Sequence, residues 1–139
     1  MKKVKLIYPE LSYKITGIFY KVHNSLGRFR SEKSYADAIE NLLQKNKVKY
    51  EREKNLGKSF DGENPRRNIV DFIIDNRIIV EVKVKKFITK EDYNQMQRYL
   101  NATNLKLGLI VNFRNSYLKP KRVLNYNYKY NYKIKNFHK

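Results

Sequence analysis

The sequence of 139 residues predicts one α/β domain (α+β in some classifications), with helices flanking a mixed central sheet. Two runs rich in β-branched residues, 69–74 and 78–84, are separated by a short polar turn and predict a hairpin. A helical pattern over 90–103 and an apolar run over 105–113 then complete a strand–helix–strand unit. Hairpin strands are antiparallel, whereas the strands of such a unit are parallel, so both kinds of pairing are expected in the sheet.

Two amphipathic helices are predicted before the sheet. The first covers about residues 10–26 and ends at Gly27, a suitable C-cap. Its apolar residues recur at helical spacing: Leu11, Ile15, Ile18, Val22 and Leu26. The second covers about residues 32–46 and follows Ser31, a residue type that commonly caps helix N-termini.

The remaining elements follow from alternation and turn residues. Residues 48–52 alternate as a strand, and the glycines, proline and polar residues of 55–67 indicate a loop. Thr89 and the acidic residues after it form a good helix start for the helix at 90–103.

The turn of the central hairpin decides where its charged residues lie. A two-residue loop, 75–76, would place Asp71 opposite Val80 and Glu81 on the other face. A three-residue loop, 75–77, would place Asp71 directly opposite Glu81, with the side chains roughly 5 Å apart. Two carboxylates at that distance are unfavourable in a purely structural sheet, but they suit a site for a divalent cation.

Composition limits the classes of function. The net charge is +18, from 31 basic and 13 acidic residues, which indicates a polyanionic partner such as nucleic acid. The alternative is compositional drift, because Lys, Asn, Ile and Tyr all have A/T-rich codons. Beyond Asp92 there is no acidic residue, and the 119–139 tail repeats Tyr, Asn and Lys. Its tyrosines could stack on unpaired bases, or the tail could be an edge strand or a flexible end.

Several other kinds of site are disfavoured. There is no cysteine, so a disulfide or a thiolate metal site cannot form, and His23 and His138 are too far apart to suggest a zinc site. No apolar run is long enough to span a bilayer, and no signal-peptide core is present. A soluble protein of the cytoplasm is expected.

Three further residues allow either a structural or a functional interpretation. Glu32 projects on or beside the apolar face of its helix, but it is also an acidic residue of the first turn, where its charge interacts favourably with the helix dipole. Gln95 and Tyr99 share a face four residues apart, although Tyr99 could simply be a core residue.

The order of these segments resembles the PD-(D/E)XK nuclease superfamily, and most closely its GxxExxY branch. A lone E-x-K is a weak signal, whereas an ordered set of segments over about residues 10–115 is specific. The segments are the helix ending in Leu-Gly at 26–27, S-E-K-S-Y at 31–35, V-D-F-I-I-D at 70–75, I-I-V-E-V-K at 78–83, Q-M-Q-R-Y-L at 95–100 and L-K-L-G-L-I-V-N-F at 105–113. The resemblance implies a restriction-endonuclease-like core with the element order ααβββαβ, in a domain of residues 1–118.

The resemblance also implies a catalytic set. Asp71 and Glu81 match the metal-binding carboxylates, and Glu32 matches the helix glutamate that approaches the metal. Lys83 matches the lysine that positions or deprotonates the attacking water. The implied cofactor is Mg²⁺ or Mn²⁺, and the implied enzyme is a metal-dependent phosphodiesterase acting on nucleic acid.

A second set is implied to bind nucleic acid or to support the site. Gln95 and Tyr99 match a Q-x-x-x-Y motif similar to that of RecB-type nucleases, and Tyr35 and Lys85 complete the set. The chain departs from the branch at Phe29, where the pattern has glycine, and at Val70, where it usually has proline. These departures leave the catalytic set intact; the one at Phe29 lies in the loop before Glu32.

The expected substrate is nucleic acid, with DNA preferred to RNA, and no membrane partner is expected. A homodimer is possible, because nucleases that cut both strands often dimerise.

Burying Asp71, Glu81 and Lys83 together would be costly without a functional reason. Two alternatives remain: a nucleic-acid-binding or scaffold protein that keeps the fold without turnover, and an exposed E-x-K ion pair with no site.

Overall fold

The computed structural model describes residues 6–128, in which three helices pack on the two faces of one five-stranded sheet. The helices are α1 (Pro9–Leu26), α2 (Glu32–Lys45) and α3 (Lys90–Thr103). The strands are β1 (Tyr50–Asn55), β2 (Ile69–Ile74), β3 (Ile78–Lys83), β4 (Leu107–Asn112) and β5 (Lys121–Leu124).

The helices begin and end where local chemistry predicts. Gly27 ends α1 with a φ of 77°, and its N–H donates to the His23 carbonyl oxygen at 2.9 Å. Ser31 caps α2 by accepting a backbone N–H of the first turn at 3.1 Å. Thr89 and Asp92 form a reciprocal capping box at the start of α3. All three predicted boundaries are confirmed to within one or two residues.

The sheet is mixed, as predicted. Its strands lie in sequence order, and only β3 and β4 are parallel, with α3 as the crossover between them. The other neighbouring strands pair antiparallel. Because β3 and β4 are parallel, Lys83 and Asn112 lie side by side at one end of the sheet. The arrangement is that of a restriction-endonuclease-like fold.

Each face of the sheet has its own core. The α1 and α2 helices cover one face, where the buried strand residues are Phe72, Ile74, Ile78, Val80, Val82, Leu107, Leu109 and Val111. The α3 helix covers the other face through Met96, Tyr99 and Leu100, which pack with Val70, Ile73, Ile79, Ile110 and Val123. The first five residues of β3 are all buried; Ile78, Val80 and Val82 face one core and Ile79 the other, as the alternation of side chains along a strand requires.

The sheet continues beyond residue 118, the predicted end of the domain. Val123 of β5 is buried, and the Asn125 side chain donates to the carbonyl oxygens of Leu100 and Leu105. Most of the tyrosine-rich repeat, from residue 129 onward, lies outside the described residues, so its predicted roles stay predictions. Between residues 6 and 128, no helix is both long and apolar enough to cross a membrane.

Candidate active site

The turn between β2 and β3 sets the register of the two central carboxylates. Phe72 pairs with Val80, so the loop contains three residues, 75–77, and the next opposed pair is Asp71 and Glu81. The first two loop residues have φ values of 52° and 53°. They are Asp and Asn, which tolerate the left-handed region better than other residues with a β-carbon. The three-residue alternative is thus confirmed, and the first two of its residues are left-handed.

Asp71 and Glu81 accept main-chain N–H groups just beyond Phe72 and Val80, the last paired residues of β2 and β3. The Asp71 N–H donates to Glu81 Oε2 at 2.8 Å, and the Val82 N–H donates to Asp71 Oδ2 at 2.7 Å. These two bonds hold the carboxylates against each other at the point where β2 and β3 separate.

The pairing of β2 with β1 is also interrupted at Asp71. The β1 residues on either side of Glu53 pair with β2, but Glu53 itself has a φ of 51° and does not continue the ladder. The sheet consequently opens beside Asp71 and leaves a cavity of about 200 Å³ between β1, β2 and α2. Glu32, Glu53 and Asp71 bring three carboxylates to its lining.

Glu81 is the most deeply buried acidic side chain of this group, with 4% of its surface exposed. Burial is the main cause that raises its pKa well above the usual value, and the neighbouring Asp71 carboxylate raises it further. The pair therefore favours any partner that compensates its charge, a proton or a cation.

Lys83 lies two residues beyond Glu81 and is oriented by α3. Its Nζ donates to Gln95 Oε1 at 3.2 Å and lies 3.8 Å from Asp92 Oδ1. The side chain is only 18% exposed. The residues Glu81, Lys83 and Gln95 are thus brought to one region: alternation along β3 puts the first two on one face of the sheet, and α3 brings Gln95 to them.

Asp92 belongs to this region, although the sequence indicated only a helix-capping role for it. Its Oδ2 accepts from the Thr89 N–H at 2.8 Å and lies 2.9 Å from Lys85 Nζ. Burial alone would raise its pKa, but the bonds from Thr89 and Lys85 and the Lys83 charge outweigh burial, so the pKa is lowered. Two lysines near one helix start were the available signal, but spacing could not choose Asp92 over its neighbour Glu91.

Tyr99 is a core residue that also borders the site. It packs in the core beneath α3 with 2% of its surface exposed. Burial, together with the Glu81 charge beside it, raises the pKa of Tyr99 to about 12. Its hydroxyl is therefore neutral at physiological pH and adds no negative charge beside the carboxylate pair.

Glu32 begins α2 and lies at the rim of the cavity beside Asp71. Partial burial is the main cause that raises its pKa; Lys83 opposes this, and the Asp71 charge adds to it. Glu32 is therefore close enough to interact electrostatically with both Lys83 and Asp71. Within residues 6–128, however, no group of three Asp, Glu, His or Cys side chains is placed to hold a metal ion.

A family model for the PD-(D/E)XK nuclease superfamily matches residues 9–123. The chain belongs to the PD-(D/E)XK nuclease superfamily. No curated protein and no solved structure matches it significantly.

Nucleases of the PD-(D/E)XK superfamily typically use divalent metals. In this member, Asp71 and Glu81 offer the hard oxygen ligands that Mg²⁺ and Mn²⁺ prefer, and Mg²⁺ commonly uses only one or two carboxylates while keeping several waters. The carboxylate pair therefore fits such an ion, with Glu32 outside the pair.

The two remaining predicted residues have structural contacts. Tyr35 is fully buried, stacks on Phe113 with ring centroids 4.3 Å apart, and accepts the Arg30 N–H at 3.2 Å. Its hydroxyl donates to the Gly27 carbonyl oxygen, so it holds the loop that leads to Glu32. Of the two roles given to it, binding or support, these contacts favour support. Lys85 is partly exposed and paired with Asp92.

Proposed function

We propose that this protein is a nuclease of the GxxExxY branch, which hydrolyses phosphodiester bonds of nucleic acid with bound Mg²⁺ or Mn²⁺. The observation that carries the proposal is the contact between Asp71 and Glu81, each held by a main-chain N–H, with Lys83 beside them. Membership of a nuclease superfamily supports the reaction class, and the net charge of +18 supports a polyanionic substrate.

The carboxylates would hold the cation. Asp71 Oδ1 and Glu81 Oε1 are the oxygens not engaged by the two main-chain N–H groups. When bound, the divalent cation supplies Lewis-acid stabilisation of the negative charge that develops on the phosphate. Glu32, at the rim of the cavity, would assist from outside the pair, for instance by accepting a hydrogen bond from a water molecule.

Lys83 would act on the water and on the phosphate. Its ammonium group can orient an attacking water molecule and stabilise charge on the phosphate oxygens in the transition state. Gln95 and Asp92 restrict the ammonium group to one region, which reduces the reorganisation needed during the reaction. Gln95 is in this sense a positioning residue.

The test is cleavage of a panel of labelled substrates, single-stranded and duplex, DNA and RNA, with Mg²⁺, with Mn²⁺ and with chelator. We expect cleavage that needs the metal, with DNA as the better substrate. Lys83→Ala should slow single-turnover cleavage by roughly 100-fold or more, because it removes charge stabilisation at the reacting phosphate. Lys14→Ala, which removes an exposed cation from α1, should cleave like the wild type.

Binding measurements separate this proposal from a non-catalytic nucleic-acid-binding or scaffold protein. That alternative is favoured by the finding that no three Asp, Glu, His or Cys side chains of residues 6–128 are placed to hold a metal ion. Lys83→Ala should change the slope of log K against log salt by at most about one unit. Equal binding by both proteins with no cleavage of any substrate would favour the non-catalytic alternative. If neither protein binds any nucleic acid even at low salt, both hypotheses fail, and the net positive charge is best explained by compositional drift.

A further inference from the structure

A second surface lies at the same end of the sheet as the candidate active site. The loops after α1, β3 and β4 meet there, because β3 and β4 are parallel and end side by side. They border an open depression of about 500 Å³. We call it the aromatic–arginine surface and define it by six residues: Arg28, Phe29, Lys86, Phe87, Arg114 and Tyr117.

Three large aromatic side chains of this surface are exposed to solvent. The exposed fractions are 74% for Phe29, 76% for Phe87 and 82% for Tyr117. Isolated exposed aromatic residues are common and need no explanation. Three of them on adjoining loops, surrounded by cations, are the composition of a binding surface for flat, anionic ligands.

The cations of the surface are free of acidic partners. None of the residues that line the depression is acidic, and no carboxylate of residues 6–128 forms an ion pair with Arg28, Lys86 or Arg114. Asp92 is paired instead with Lys85, one position before Lys86. The positive charge of the surface is therefore available to an external anion.

Phe29 orients two of these cations. The guanidinium carbons of Arg28 and Arg114 lie 5.2 and 5.1 Å from the centre of the Phe29 ring, within the range of cation–π attraction. Arg28 Nε also donates to the Arg114 carbonyl oxygen at 2.8 Å. These contacts hold two like charges near each other before any ligand arrives.

We propose that the aromatic–arginine surface binds an unpaired strand of nucleic acid, with bases stacked on Phe87 and Tyr117 and phosphates bound by Arg28, Lys86 and Arg114. The bases of a duplex are already stacked on one another, so exposed rings gain nothing from duplex DNA, whereas single strands offer free base faces. The inference rests on the proposed nuclease function, since it assigns the unpaired part of the substrate to this surface.

The distance to the candidate active site suits a continuous strand. Phe29 is three residues from Glu32, and Lys86 is three residues from Lys83, so each pair of α-carbons is at most about 11 Å apart. With roughly 3.4 Å between stacked nucleotides, that distance corresponds to at most about three nucleotides. A substrate with an unpaired segment a few nucleotides from the cleaved bond, such as a single strand, an overhang or a flap, fits both surfaces.

The test uses equilibrium binding in chelator, so that it does not depend on cleavage. The probes are a short labelled single-stranded DNA, the RNA of the same sequence and a blunt DNA duplex of the same length. The variant is Phe87→Ala/Tyr117→Ala, and the matched control is Tyr13→Ala/Tyr20→Ala, which removes two exposed tyrosines of α1. Melting temperatures are measured for each protein to establish that it is folded.

We expect Phe87→Ala/Tyr117→Ala to bind a single strand at least about tenfold more weakly than the wild type, with duplex affinity little changed. The control should bind both probes like the wild type. Arg28→Gln/Arg114→Gln should flatten the salt dependence of single-strand binding by up to about 1.4 units. A loss with the DNA probe, the RNA probe or both supports the inference and shows which backbone is accepted.

Unchanged single-strand binding by a folded Phe87→Ala/Tyr117→Ala protein would overturn the inference, and so would an equal loss with duplex. Either result is independent of the nuclease proposal, which the cleavage assay with Lys83→Ala decides. Conversely, single-strand binding that depends on these rings, in a protein that cleaves no substrate, would refute the nuclease proposal and support the proposed binding surface.

Discussion

Asp71 and Glu81 oppose each other in a nearly buried position, although each has an oxygen satisfied by a main-chain N–H. The two hydrogen bonds fix the geometry, while the two charges oppose it. A divalent cation would remove this opposition, and in a folded protein any ligand that binds only the native state raises stability. The effect of metal on stability is therefore a measure of whether the pair is the metal site.

Asp71→Asn isolates the charge from the hydrogen bond, because the amide oxygen can still accept the Val82 N–H. Without metal, this variant should melt at or above the wild-type temperature, since one of the opposed charges is gone. Saturating Mg²⁺ or Mn²⁺ should raise the melting temperature of the wild type by several degrees and that of Asp71→Asn much less. Thermal scans with metal and with chelator measure both effects, and equal shifts in the two proteins would place the ion elsewhere.

Asp92 predicts a pH dependence of stability. Its folded-state pKa is lowered, so its charge contributes stability that is complete above the unfolded-state pKa and is lost as pH falls through the folded value. Asp92→Asn should lower the free energy of unfolding at neutral pH by on the order of 1–3 kcal/mol, and the difference should shrink below about pH 5. Urea unfolding across a pH series measures it.

Glu91→Gln is the matched control, because Glu91 is an exposed acid in the same helical turn. It should cost only a few tenths of a kcal/mol, the size of an exposed helix-dipole interaction. A difference between wild type and Asp92→Asn that stays constant with pH would mean that packing, and not the charge of Asp92, is responsible.

Among the elements, α3 and β4 are in close contact at Gly108. A β-carbon at this position would overlap the Met96 side chain, including a distance of 2.7 Å to Cγ. Met96 is fully buried beneath α3, so it has little free volume to move into. The absence of a side chain at Gly108 therefore sets how near α3, which carries Gln95 and Asp92, lies to the sheet.

Gly108→Ala should lower the free energy of unfolding by about 1–3 kcal/mol through overpacking. Gly17→Ala is the matched control: a β-carbon there meets nothing within 4 Å in the middle of α1, so it should raise stability by about 0.5–1 kcal/mol. Chemical unfolding of both variants tests the pair. If Gly108→Ala is as stable as the wild type, Met96 repacks freely and the close approach is not required.

At the scale of the whole molecule, part of the positive charge lies beyond the last described strand. Within residues 6–128, β5 and the buried Asn125 belong to the sheet region, whereas residues 129–139 contain four lysines and no acidic residue. The positive charge at the C-terminus can therefore be reduced without removing β5.

Two truncations separate these contributions. Removing residues 129–139 should leave the melting temperature near that of the wild type and flatten the salt dependence of single-strand binding by at most about 3 units. Removing residues 119–139 also deletes β5 and exposes the edge of β4, so this protein should melt lower and aggregate more readily. A melting temperature equal to that of the full chain in the second truncation would show that β5 is dispensable.

Much of the fold could be predicted because it depends on local patterns. The bounds of α1, α2 and α3 follow from caps and helical periodicity, and the hairpin follows from β-branched runs around a polar turn. The loop length could not be decided in this way, since Asp and Asn are suitable for either turn. An edge strand was one of the alternatives for the tail, and β5 is such a strand, but its bounds could not be predicted because its four residues carry only one buried apolar side chain.

The sequence by itself determined which residues are available for chemistry: alternation along β3 places Glu81 and Lys83 on one face, and this depends only on near neighbours. The tertiary structure decided what they meet. It opposed Asp71 to Glu81, brought Asp92 and Gln95 to Lys83, buried Tyr35, and gathered three loops into the aromatic–arginine surface. Register and helix packing join segments far apart in the chain, and their geometry follows from filling two cores at once, which no local pattern specifies.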